Sequence, residues 1–277
     1  MDIQLIAIDL DGTALVNNTD ISPRLLRVLE EADARGVHVV PVTGRQFMML
    51  PPSLPASWSR YAVLCNGTEL RALPSGALLE THYMSPEMLV EHLPAFQALG
   101  LPVEISGGGH LHTTPAMLQA VLDAPIHPFH RVILAERGVV LEDLNAFLFS
   151  APYPFDKVNL PYIPSETRLA LTERLATLPF SGVWSGPNTM EITHAEATKG
   201  KGLAAICRHL GVDIARTMAL GDSGNDVPML AVAGLSVAMG NAPDFVKAAA
   251  QTVTLSNTED GAAIAIEKYV LGRDRVR

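Results

Sequence analysis

Two aspartates one residue apart, in Asp9-Leu10-Asp11-Gly12-Thr13, follow the first apolar run of the chain and carry its strongest chemical signal. On an extended segment, side chains two apart point the same way, so both carboxylates can address one site. Close carboxylates repel, which raises the pKa of one of them unless a cation sits between or beside them. A nucleophile, a metal ligand and a general acid can all be drawn from such a pair. A plain turn after a strand also favours Asp, Gly and Thr, so the pentapeptide alone leaves that reading open.

Three further segments supply complementary chemistry. Thr43-Gly44-Arg45 follows another apolar run. A hydroxyl, a glycine backbone and a helix starting behind them would form a phosphate cradle; the alternative is a simple helix cap. Gly221-Asp222-Ser223-Gly224-Asn225-Asp226 offers the hard oxygen ligands that Mg²⁺ prefers. A calcium loop is disfavoured because no ligand ladder or terminal glutamate follows, while a tight structural turn stays open. Lys199-Gly200 opens a helix from which the ammonium can neutralise phosphate oxygens or fix the nucleophile. Most lysines are solvated surface, and Lys201 competes for the role.

Weaker signals have blander explanations. Cys65 and Arg71 have the C-x5-R spacing of cysteine phosphatases. Glu69 would put an anion inside that loop and Ala72 replaces the usual hydroxyl, so a small buried thiol ending a strand is expected. His110 and His112 would share a face of an extended segment, but no further ligand stands at a recognisable metal spacing. His194 reads as structural.

These residues need elements to hold them at one edge. Apolar runs over residues 3–9, 37–42 and 61–65 predict strands buried on both faces of a parallel sheet. Ser22-Pro23 opens a helix by cap plus first-turn proline, and Gly36 stops it. Asn66-Gly67 and a second apolar run over residues 73–79 predict a hairpin. From residue 200 the rhythm resumes: helix 200–210, strand 217–220, helix 226–233, strand 235–239, helix 243–250, strand 252–255 and helix 261–270. The fold class is therefore α/β, a doubly wound, mostly parallel sheet formed by residues 1–81 and 190–277. Residues 82–189, with their own short strands and helices, form an inserted α+β domain.

Composition narrows the partners. With 48% hydrophobic and 18% charged residues, the 277-residue chain has ample material for a core. A net charge of −9 argues against nucleic acid as a partner, and the basic residues at 273–277 read as a solvated terminus. No run is long enough for a membrane span and no leader pattern precedes residue 3. Two cysteines without disulfide or zinc spacing make a reduced cytoplasmic location the expectation.

Taken together, the order D-x-D, T-G, K, G-D-x-x-N-D resembles the motifs of the haloacid dehalogenase superfamily. The stretch from Gly221 to Leu230 is similar to its Cof-type phosphatase branch, which carries a large α/β cap between the second and third motifs. One departure is Lys199-Gly200-Lys201-Gly202-Leu203, where the family more often has alanine in place of Gly202. The resemblance implies that Asp9 is the nucleophile and becomes an aspartyl phosphate, while Asp11 protonates the leaving oxygen and later activates water. It further implies Mg²⁺ held by Asp9, the backbone carbonyl of Asp11, and Asp222. Thr43, Gly44, Lys199 and Asn225 would bind phosphoryl oxygens, with Asp226 orienting Lys199 or metal-bound water, and the cap, residues 82–189, would set substrate specificity. The implied partner is a small phosphorylated metabolite, first a sugar phosphate. A phosphotransferase or sugar-phosphate mutase would use the same aspartyl chemistry, and a non-catalytic phosphate sensor would be expected to lack one of these carboxylates. Neither the physiological substrate nor the oligomeric state is readable.

Overall fold

The computed structural model describes residues 2–17, 19–126 and 128–273, so most of the basic terminus lies outside the described residues. The chain divides into two compact units, Met1–Thr81 with Ala197–Arg277, and His82–Glu196.

The first unit begins with β1 (Leu5–Ile8), α1 (Pro23–Ala34) and β2 (His38–Pro41). Ser22 caps α1 by accepting from Leu25 N–H, with Pro23 in the first turn. An antiparallel sheet of β3 (Tyr61–Leu64), β4 (Glu69–Ala72) and β5 (Leu78–Thr81) follows. Here the structure differs from the expected hairpin. The strand that pairs with β3 is Glu69–Ala72, and the apolar run after it turns at Leu73-Pro74 and ends in exposed Leu78 and Leu79. A parallel bridge between Val42 and Val63 links β3 to the end of β2.

The second unit runs through α2 (Pro86–Gln97), β6 (Glu104–Gly107), β7 (His110–Thr113), α3 (Pro115–Asp123), α4 (Pro128–Arg137) and β8 (Gly138–Val140). It continues with α5 (Leu144–Ser150), β9 (Phe155–Leu160), α6 (Arg168–Leu175), β10 (Phe180–Gly186) and β11 (Thr189–His194). Its six strands form one sheet in the order β10-β11-β9-β6-β7-β8. Leu89, Leu93 and Phe96 of α2, Leu148 of α5 and Leu171 of α6 pack on Ile105, Val158, Leu160 and Ile192 to give this unit its own core. Because β11 pairs with β9, the unit extends to Glu196, seven residues beyond the expected boundary at 189.

The chain then returns to the first unit with α7 (Lys199–Leu210), β12 (Thr217–Gly221), α8 (Val227–Val232), β13 (Leu235–Ala238), α9 (Asp244–Ala249), β14 (Thr252–Val253) and α10 (Gly261–Tyr269). Five parallel strands lie in the order β14-β13-β12-β1-β2. Alternate residues of each strand enter opposite layers. Ile6 and Ile8 pack with α1 and α10, whereas Leu5 and Ala7 pack with α7, α8 and α9. All four residues of β1 are therefore buried, which is why they read as an unbroken apolar run. Each fully buried Leu or Ile is worth about 1.5–3 kcal/mol, so the central strand is firmly anchored. The chain leaves β1 towards β2 on one side and returns to β12 on the other. That reversal opens a crevice at the carboxyl ends of β1 and β12, the usual ligand position in such sheets.

Candidate active site

The crevice is lined by the loops that follow β1 and β12, both in the first unit. Asp9 stands just after β1, its N–H donating to Leu220 O at 3.0 Å. The chain does not stay extended there, contrary to the expectation that aligned Asp9 with Asp11. It turns, with Thr13 N–H and Leu15 N–H donating to Leu10 O and Ala14 N–H to Asp9 O. Gly12 makes the turn at φ +77°, and a Cβ there would lie 2.4 Å from Asp222 Oδ2. Only glycine lets this loop press against Asp222. Thr13 Oγ1 then donates to Asp222 Oδ1 at 3.1 Å.

Asp9 is 4% exposed. Its Oδ1 accepts from Lys199 Nζ at 2.6 Å. Lys199 is the first residue of α7, behind the cap Thr198, and its side chain is fully buried. The same ammonium donates to Asp226 Oδ1 at 2.6 Å. Asp226 Oδ2 accepts the N–H groups of Asp222 and Ser223, both at 2.9 Å, so this carboxylate ties the loop after β12 to the lysine. Lys201 is exposed, whereas Lys199 is the lysine whose ammonium meets Asp9.

Oxygens of Asp9, Asp222 and Asp226 converge to within 4.8 Å of one another. Three carboxylates against one ammonium leave two negative charges uncompensated, the charge a divalent cation would bring. The electrostatics report that deficit. Burial, then Asp226, pushes the Asp222 carboxyl up to about 7. Burial likewise drives Asp9 well above the carboxylate range, against the pull of Lys199. Burial opposes the Lys199 charge, but Asp226 and Asp9 outweigh it and hold the ammonium above its usual range. The donor set is all oxygen, which suits Mg²⁺. Since Asp226 already serves Lys199 and two backbone N–H groups, Asp9 and Asp222 are the carboxylates that fit a cation.

The other expected residues are placed as follows. Thr43 is buried; its N–H donates to Val63 O and its Oγ1 accepts from Arg45 N–H at 3.2 Å, which leaves the hydroxyl proton as a donor. No α-helix starts behind Gly44: the segment makes only the short 3₁₀ turn Phe47–Met49, so the helix-terminus part of the expected cradle is absent. Asn225 Nδ2 donates to Asn66 Oδ1 at 3.0 Å, and its own Oδ1 is buried without a partner. Asp11 is gripped on both oxygens by Arg45, whose Nε donates to Oδ2 at 2.8 Å and whose Nη2 donates to Oδ1.

Sequence reasoning assigned no task to Arg45, Asn66 or Asn241, which all contact the site. Each follows the carboxyl end of a strand, the positional signal that could have found them. Cys65 is a buried thiol outside any disulfide, and Arg71 turns to Glu69 and the Gly76 carbonyl and over the Phe47 ring, so no cysteine-phosphatase loop forms. His112 is buried with Nδ1 2.9 Å from Ile105 O and Nε2 2.9 Å from Tyr153 Oη. Burial lowers its pKa, and the neutral ring donates to the carbonyl and accepts from the tyrosine. Exposed His110 belongs to no convergent metal-ligating group among the described residues. His194 stacks with His82 at 6.4 Å.

This is an aspartate-lysine-aspartate crevice at the switch point of a doubly wound sheet. A family profile described as haloacid dehalogenase-like hydrolase matches residues 6–266, and the chain belongs to that family. It is 30% identical over 277 residues to the 5-amino-6-(5-phospho-D-ribitylamino)uracil phosphatase YcsE of Bacillus subtilis, covering 98% of this chain and 97% of the relative. The pyridoxal phosphate phosphatase YbhA of Escherichia coli is 30% identical over 291 residues, covering 98% of this chain and 100% of that one. A solved haloacid dehalogenase-like hydrolase from B. subtilis superposes with a TM-score of 0.78 at 26% identity, over 97% of this chain and 100% of that chain. The protein is thus an enzyme of the phosphatase class within this hydrolase family.

Proposed function

We propose that the enzyme is a Mg²⁺-dependent phosphatase that hydrolyses small phosphomonoesters through a phosphoryl group carried on Asp9. The observation that carries this reading is the buried Asp9–Lys199–Asp226 network, which with Asp222 leaves a deficit of two positive charges. A divalent cation held by Asp9 and Asp222, with the backbone carbonyl of Asp11, would supply charge neutralisation for the phosphoryl group.

The chain's own residues do the remainder. Lys199 fixes Asp9 through Oδ1 and leaves Oδ2 for attack in line on phosphorus. As the Asp9–phosphorus bond forms, the bond to the leaving oxygen breaks, and that oxygen takes a proton from Asp11. To give that proton, Asp11 must release one of the two oxygens that Arg45 holds. Water then loses a proton to Asp11 and attacks phosphorus, freeing phosphate and restoring Asp9. The Thr43 hydroxyl, Gly44 backbone, Lys199 and Asn225 are the phosphoryl-oxygen contacts. Phosphoryl transfer depends on such alignment and charge stabilisation more than on elaborate covalent chemistry. Residues 82–196 are proposed to select the leaving group. The substrates named for YcsE and YbhA, both phosphate esters of heterocycle-bearing metabolites, support a small organic phosphomonoester. Buried cysteines that form no disulfide accord with a reducing cytoplasm, and no helix among the described residues is long and apolar enough to cross a membrane.

Rapid quench with phosphorus-labelled substrate tests the chemistry. Asp9→Asn should form no phosphoenzyme with any ester. Asp11→Asn should lose most with a poor alkoxide leaving group and much less with nitrophenolate, the difference reaching about 10²–10⁴-fold. Phosphoenzyme in Asp9→Asn, or equal losses for both leaving groups in Asp11→Asn, would show the roles to be misassigned.

A further inference from the structure

Asn241 lies in the turn after β13, exposed, on the rim of the crevice. Its amide makes three hydrogen bonds. Nδ2 donates to the Gly12 carbonyl at 2.9 Å and to Asp222 Oδ2 at 3.2 Å. Oδ1 accepts from Asn257 N–H at 3.1 Å. Two acceptors on one side and a donor on the other fix the way the amide faces, since only the nitrogen donates. Asn257 reaches on to the Leu15 carbonyl through Nδ2 at 2.8 Å. The two asparagines therefore hold the turn after β1 near both of its ends. Asp222 is gripped on both oxygens, by Thr13 on Oδ1 and by Asn241 on Oδ2.

We infer that Asn241 is a positioning residue of the cation site, setting the separation between the loop after β1 and the Asp222 carboxylate. The inference rests on the reading above that Asp222 is a cation ligand. Asp9 and Asp222 sit on different loops and repel, so the crevice tends to spread until a cation draws them together. A side chain that bridges the two loops resists that spreading. A neutral amide does this without bringing a positive charge that would compete with the cation, as a lysine in its place would. Donors that orient a ligating carboxylate in this way are worth about 10–100-fold in metal affinity. Asn241 supports no core packing, so its loss should appear in cation binding and not in folding.

Calorimetric titration of Mg²⁺ into metal-stripped, full-length protein tests the inference, with the melting temperature of each metal-free sample measured alongside. Wild type should bind saturably. Asn241→Ala, and Asn241→Leu, which keeps the side-chain size without the donors, should bind about 10-fold or more weakly. Both should keep the metal-free melting temperature, and their phosphatase activity should recover as Mg²⁺ is raised. Wild-type affinity in both variants would overturn the role. So would failure of both to fold, or a fall in metal-free melting temperature matching the loss of binding, because Asn241 would then be structural. A wild type that takes up no Mg²⁺ would instead overturn the cation site itself.

Discussion

Asp222 carries most visibly the charge imbalance that defines the site. An ordinary aspartate in an unfolded chain titrates near about 4, whereas burial and Asp226 raise this one to about 7. Between those values the folded, metal-free protein holds a proton that the unfolded chain has released. Its stability must therefore fall as pH rises through that window, with the deficit complete above about 7. Asp9 is displaced in the same direction by its own burial and adds to the trend. Asp222→Asn removes the repulsion. In EDTA at pH 8 the variant should be more stable than wild type by on the order of 2 kcal/mol. Each tenfold change in proton affinity is worth about 1.4 kcal/mol, and partial solvent access at Asp222 discounts the total. At about pH 4, below the window, the two proteins should converge, and added Mg²⁺ should stabilise only the wild type. Thermal unfolding at the two pH values reads all three outcomes. A variant less stable than wild type at pH 8 without metal would mean that Asp222 is not a strained carboxylate.

At the scale of elements, the legible parts were those whose burial imposes a pattern. β1, β2, β12 and β13 have both faces covered by helices and so read as continuous apolar runs, and their carboxyl ends located Asp9, Thr43 and Asp222. The segment after Thr43 was legible only in part, as a proline-rich connection to the strand at 61–65. Pro51, Pro52 and Pro55 and the lone turn Phe47–Met49 replace the expected helix, because proline lacks the N–H that a helix interior needs. Arg45, Asn66 and Asn241 were missed for another reason: their partners lie in distant loops, and no local spacing encodes a hydrogen bond across the sheet edge. The α7–α8 contact shows how an element places a reactive side chain. A Cβ on Gly200 would lie 2.4 Å from the Pro228 carbonyl, so glycine is what lets the first turn of α7 seat against α8. Gly200→Ala should push that turn away and carry Lys199 with it. The expected cost is about 1–3 kcal/mol of stability, as for other overpacked sites, with a drop in kcat that persists at temperatures where the variant remains folded. Denaturant unfolding and steady-state kinetics on one preparation separate the two effects. A destabilised variant with wild-type kcat would show that Lys199 does not depend on this seat.

For the whole molecule, the central fact is that one chain builds two independent cores. All five parallel strands, with Asp9, Asp11, Lys199, Asp222 and Asp226, belong to Met1–Thr81 and Ala197–Arg277. The unit His82–Glu196 has its own six-stranded sheet and apolar cluster. No strand of the first unit pairs with one of the second among the described residues, so excising the second removes no rung of the catalytic sheet. With a net charge of −9, the overall field would repel a phosphate ester, so the proposed phosphate binding falls to a few local groups. Those groups lie in the first unit, whereas selection among leaving groups is assigned to the second. Replacing residues 82–196 by a short flexible linker should therefore leave a folded protein that still hydrolyses p-nitrophenyl phosphate in Mg²⁺. The activated phenolate leaves with little help and demands little positioning. Hydrolysis of whichever phosphomonoester the full chain prefers in a substrate panel should fall much further, since positioning of the leaving group is lost. The measurement is the ratio of kcat/KM for the two esters, with circular dichroism to establish that the shortened chain is folded. An unchanged ratio in a folded variant would contradict the division of labour and return substrate selection to the loops of the first unit.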